Sequence, residues 1–133
     1  MINKYSILAA SVATLLFSTL ASAKSINEFY CSTNLRHECD KNKCETLSEN
    51  VNGSFSFNKK TLLLEACLGS TCHTGKASLA KVNNQLISSA KIKNSAGNSE
   101  LFISLRIFPN NTFIATWTDS EETRIDSGSC ESK

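Results

Sequence analysis

Proline and glycine are scarce in this sequence, with one Pro and five Gly in 133 residues. So few chain breakers leave no low-complexity linker and no Gly-rich loop of the kind that cradles phosphates. Charge of one sign is also missing. Fourteen Lys and Arg stand against 12 Asp and Glu, a formal net charge of +2. Without a concentrated basic field, no nucleic-acid partner is expected. Catalytic patterns are absent too: no nucleophile elbow and no H-E-x-x-H, and no Asp-x-Asn-x-Asp-Gly calcium loop. The chain is near the modal length of one domain and too small for a multi-domain enzyme. Its apolar fraction of 41% is too high for a disordered protein.

The longest apolar run, 7–20, falls short of the roughly 18 residues that span a bilayer as a helix. It follows Lys4 and precedes Ala21-Ser22-Ala23. A short positive region, an apolar region and a small-x-small cut describe an export signal. Residues 1–23 are therefore expected to be a cleaved signal peptide and 24–133 a single β domain. No stable membrane insertion is expected. Only Lys4 is lost among the charged groups, so the remaining chain is nearly neutral. The brief charged region and the Ala-Ser-Ala cut have a bacterial look, which predicts a periplasmic or secreted protein.

All six cysteines lie beyond that cut: Cys31, Cys39, Cys44, Cys67, Cys72 and Cys130. An even number in an oxidising compartment reads as disulfides. Six cysteines allow 15 pairings. The spacing suggests Cys39 with Cys44 and Cys67 with Cys72, each across a turn-like gap of four residues. Cys31 and Cys130 would then tie the first strand to the last. The rival reading is a zinc cluster of these thiols with His37 and His73. Metal sites use tighter spacing and exported thiols oxidise, so neither a metal nor another cofactor is expected. The C-x4-C spacing also lacks the C-x-x-C geometry of a thiol oxidoreductase.

Along the chain the apolar residues alternate with a period of two. Leu101, Ile103, Leu105 and Ile107 share one face of 100–108, and Phe102, Ser104, Arg106 and Phe108 share the other. Further strands are predicted over 28–32, 53–57, 61–67, 74–81, 85–93, 112–118 and 123–127, with turn signals at 58–60, 68–71, 83–84, 94–98, 109–111 and 120–122. The stretch 33–52 is polar and reads as irregular. The competing reading is one helix over 77–93, which Asn83-Asn84 would interrupt. About eight short strands recur roughly every 10 residues. The fold expected is all-β: a small antiparallel meander, barrel or sandwich, stapled by disulfides.

Candidate sites are few. His37 and His73 read as solvated loop residues, and Asp119, Glu121 and Glu122 as turn acids pointing into water. Asn52-Gly53-Ser54 and Asn110-Asn111-Thr112 fit the glycosylation pattern but read as turns. Trp117 shares a face with Phe113 and Ala115, the pattern of a core residue. If Leu101, Ile103, Leu105 and Ile107 face inward, then Phe102, Arg106 and Phe108 face outward. Aromatics and Arg are enriched at binding hot spots, so this row is the candidate binding patch.

The expected function is an exported, non-catalytic binding or inhibitor-like module acting on another exported protein or a surface polymer. In outline the chain is similar to small periplasmic lysozyme inhibitors: a signal segment, about 100 further residues, an antiparallel barrel and disulfides. The likeness carries no motif. Thr74-Gly75-Lys76-Ala77 is the nearest stretch to their Ser-Gly-x-x-Tyr loop and lacks the Tyr. The alternative is a carrier of a small apolar ligand, its cavity lined by Ser88, Ala90 and Ala115.

Overall fold

The computed structural model describes residues 25–93 and 100–133. The signal segment at 1–23 and the turn at 94–98 lie outside the described residues. Nine strands follow in order: β1 (Glu28–Cys39), β2 (Cys44–Leu47), β3 (Gly53–Asn58), β4 (Leu63–Leu68), β5 (Thr71–Val82), β6 (Gln85–Lys93), β7 (Glu100–Ile107), β8 (Thr112–Thr118) and β9 (Thr123–Ser132). Every pairing is antiparallel between chain neighbours, except that β3 and β9 flank β1. The β1–β9 pairing closes an eight-stranded barrel, and β2 lies outside it as an extra strand on the far half of β1. The 77–93 stretch is a β-hairpin. Asn83 and Asn84 break any helix there, with φ of 49° and 63°.

Alternation decides what fills the barrel. From β7, Leu101, Ile103, Leu105 and Ile107 point in; from β8, Phe113, Ala115 and Trp117 do the same. They meet Phe29, Phe55, Phe57 and Leu64 from the opposite wall. Phe55 and Phe113 touch across the interior, their ring centroids 5.6 Å apart and tilted by 59°. Each such buried side chain contributes about 1.5–3 kcal/mol relative to exposure.

The turns share one device. Asp40 accepts from the amides of Asn42 and Lys43, Asn58 from those of Lys60 and Thr61, and Asp119 from those of Glu121 and Glu122. Such side chains substitute for a backbone turn bond. Asp40 carries a testable consequence. The two amides hold its carboxyl below the ordinary aspartate range. A carboxyl lowered in the folded state stabilises above its unfolded value and loses that effect as pH falls through the folded one. Amide exchange at Asn42 and Lys43 is therefore expected to stay slow at neutral pH and to accelerate only below the ordinary aspartate range. Exchange rates that rise instead on going from neutral to alkaline pH, beyond intrinsic base catalysis, would contradict this.

The stretch 33–52 is where the structure departs most from expectation. β1 does not stop at Ser32 but runs on to Cys39, then returns as β2. A bulge hides this in the sequence. Thr33 pairs with Gly128 and Leu35 with Ser127, so Asn34 is an extra residue. Phe29, Cys31 and Thr33 are buried before it, and Arg36 after it, so the inward parity changes from odd to even. Gly128 makes the bulge possible: a Cβ there would stand 2.0 Å from the Ser32 carbonyl oxygen.

The inward Arg36 needs a partner, and Asp126 directly across on β9 supplies it. Nε donates to Oδ1 at 2.6 Å and Nη2 to Oδ2 at 2.8 Å, while Thr33 Oγ1 donates to Oδ2 at 3.3 Å. Hydrogen bonding to Asp126 raises the Arg36 pKa further, against the effect of burial. Gly53 leaves room for the guanidinium, since a Cβ there would lie 2.5 Å from Nη2.

All six cysteines pair as the spacing suggested. Cys31–Cys130, Cys39–Cys44 and Cys67–Cys72 are each directly opposed cross-strand residues, with Cα atoms 3.9 to 4.0 Å apart. The thiols are consumed in disulfides and are not metal ligands. Three disulfides in one small domain are the pattern of an oxidising environment.

Candidate functional site

Outward-facing residues of β6 to β9 form the candidate surface. Antiparallel register puts Ile87, Arg106 and Ile114 side by side in one row across three strands. The next row holds Ser89, Ser104, Thr116 and Ile125, and the one after it Lys91, Phe102 and Thr118. Ser89 Oγ donates to Ser104 Oγ at 3.4 Å. Phe102 is 50% exposed, Ile114 43% and Ile125 37%. Lys91 is held by Glu100 at 2.6 Å, which lowers the Glu100 pKa. Arg106 is exposed and forms no ion pair among the described residues.

Of the three residues singled out from sequence, Phe102 and Arg106 lie exposed on this face. Phe108 lies past the end of β7, half-buried, its amide donating to the Thr112 carbonyl at 2.9 Å. Sequence reasoning missed Ile87, Ile114 and Ile125. The signal was present for Ile114, the position between the inward Phe113 and Ala115. An outward Ile on a strand with an inward Trp is a surface apolar residue by alternation alone.

The barrel has a second feature at one mouth. Leu68, Thr71, His73, Leu101, Trp117, Asp119 and Arg124 line an open cleft of about 270 Å³. His73 is not a loop residue but an inward residue of β5, its ring edge-on to Trp117 at 5.3 Å. Trp117 is only 4% exposed, and the Arg124 guanidinium lies 6.0 Å from its ring centroid. Arg124 pairs with Glu38 at 3.3 Å and with Glu122. His37 also lies in a strand, with Nδ1 2.8 Å from Thr46 Oγ1. Among the described residues no three His, Cys, Asp or Glu side chains converge as a metal site.

The small residues proposed to line a ligand cavity, Ser88, Ala90 and Ala115, are buried against larger neighbours. Ser88 faces Leu105, Ala90 faces Ile103, and Ala115 lies across from Leu105. No helix among the described residues is long and apolar enough to cross a membrane. Comparison of the chain with family models, curated proteins and solved structures gives no match.

Proposed function

We propose that the chain is an exported, non-catalytic binding or inhibitor-like module that acts on another exported protein or a surface polymer through the outer face of β6 to β9. The observation that carries this reading is the Ile87–Arg106–Ile114 row with Phe102 and Ile125 beside it. Apolar side chains around a guanidinium with no ion pair among the described residues are the composition of a binding hot spot. The side chains filling the barrel support a binding surface over an internal carrier. The disulfides support an exported setting.

A photo-crosslinking residue at position 102, in protein expressed in its own cell envelope, tests the reading. One discrete adduct is expected, absent when the same residue is placed at the exposed position 54 on β3, away from the proposed face. Arg106→Ala is expected to weaken that adduct by tenfold or more, on the order of a single hot-spot loss. Equal labelling from both positions would overturn the reading. So would an apolar small molecule retained in the native mass of the purified protein, which favours the carrier.

A further inference from the structure

β5 changes partners halfway along its length. Residues 71–76 pair with β4, whereas residues 77–82 pair with β6. Ala77 N donates to the Leu62 carbonyl at 2.8 Å. Beyond that bond, the edge of β5 that faced β4 has no strand beside it among the described residues. Residues 78–82 are all exposed, Leu79 at 38% and Val82 at 49%.

The hairpin fixes where the free backbone groups point. Asn83 and Asn84 form a two-residue loop with φ of 49° and 63°, the signs of a type I′ turn. Such a turn closes on a pair that exchanges both ladder bonds, here Val82 and Gln85. Bonded and non-bonded pairs then alternate. Ala80 and Ser78 therefore bond to β6, while Leu79 and Lys81 turn both N–H and C=O to the open edge. Ala77 has the same parity, and its bond to Leu62 shows that direction.

Charge then selects what can lie there. The sequence has no Asp or Glu between Glu65 and Glu100, and it has Lys76, Lys81, Lys91 and Lys93 in that interval. Lys60, in the turn at the end of the open edge, is exposed, as are Lys76 and Lys81. None of these three forms an ion pair among the described residues. A second copy of the chain would bring like charges together. An anionic polysaccharide would answer the lysines, but its hydroxyls do not repeat at the spacing of the N–H and C=O groups of a strand edge. A polypeptide in extended form supplies donors and acceptors in alternation.

We propose that residues 78–82 of β5 receive an acidic extended polypeptide segment as an added strand. Its backbone bonds to Leu79 and Lys81, and its carboxylates lie near Lys60, Lys76 and Lys81. This site goes beyond the outer-face reading and does not need Phe102.

The probe is a labelled peptide of repeated Glu-Glu-Val-Val, titrated into the oxidised protein. That repeat places carboxylates on both faces, because Lys76 and Lys81 take opposite faces of β5. Saturable binding that weakens with salt is expected. Leu79→Pro removes one outward N–H without touching the β6 ladder and should weaken binding about fivefold to tenfold. Lys81→Glu should weaken it at least as much, whereas Phe102→Glu should leave it unchanged. Amide exchange provides a readout free of substitution. Leu79 and Lys81 should exchange fast alone and slow with peptide, while Ala80 is slow throughout. The proposal is overturned if dextran sulfate binds as tightly and Leu79→Pro has no effect, which indicates a polyanion site. It is equally overturned if the two amides do not slow with peptide, or if they are already slow in a self-associated form.

Discussion

Replacing Cys31 and Cys130 together by alanine is expected to cost more stability than removing either of the other two disulfides. The bridge spans 99 positions, whereas Cys39–Cys44 and Cys67–Cys72 each span 5. In the chain-entropy account a loop of about 100 residues restrains the unfolded state by about 4.7 kcal/mol, and one of about six residues by about 2 kcal/mol. Site adds to loop length. Cys31 and Cys130 are 1% and 7% exposed, inside the barrel on the seam where β1 meets β9. The two alanines also leave a small void beside Phe29 and Phe55. Guanidinium unfolding of the double variant, against the Cys39/Cys44 and Cys67/Cys72 double variants, checks the order. Equal losses for all three would sink the argument from loop length.

The second large effect is expected from the ion pair. Asp126→Asn preserves shape but removes the charge that Arg36 is built around. Both groups are nearly excluded from water, with side-chain exposures of 8% and 2%. Removing one partner of such a pair typically costs about 3–5 kcal/mol, and Arg36 would keep only Glu38, whose Oε1 lies 3.8 Å from Nη1. The pair itself is a different quantity. Replacing both residues by apolar ones of similar volume, Arg36→Met with Asp126→Leu, is expected to be near neutral or stabilising. A double-mutant cycle in denaturant separates these outcomes. A single-variant loss below about 1 kcal/mol would mean that water reaches the guanidinium in solution.

The same pair explains what the sequence concealed. In β3, β4, β7 and β8 the inward face is apolar and alternates without a break, so these strands and the turns between them were legible to within a few residues. The short turns marked by Asn83-Asn84 and by Pro109-Asn110-Asn111 were equally clear. β1 was legible only to Ser32. Beyond it the bulge at Asn34 changes the inward parity, and the next inward residue is a charged Arg36. Local periodicity cannot register a residue whose reason for facing inward is an aspartate 90 positions away. β2 has no buried residue at all, so no apolar pattern marks it. The candidate surface was legible through β7, where Leu101 to Ile107 declare the inner face. Its neighbours Ile87 and Ile125 became visible only with cross-strand register. The open edge of β5 was hidden for a related reason: alternation reports which face a residue takes, not which strand lies beside it.

The two ends of the described chain lie together. Asn27 N and Glu28 N each lie 3.2 Å from the Lys133 carbonyl oxygen, and Lys133 N donates to the Glu28 carbonyl at 3.0 Å. The Cys31–Cys130 bond sits three residues in from each side of that clasp. A load applied between the ends would peel those few residues and then stop at a covalent bond. Tension would never reach β2 to β8. Under a single-molecule tether the oxidised barrel should behave as a nearly inextensible link. After reduction the same molecule should release the 99-position loop, roughly 350 Å of contour at full extension.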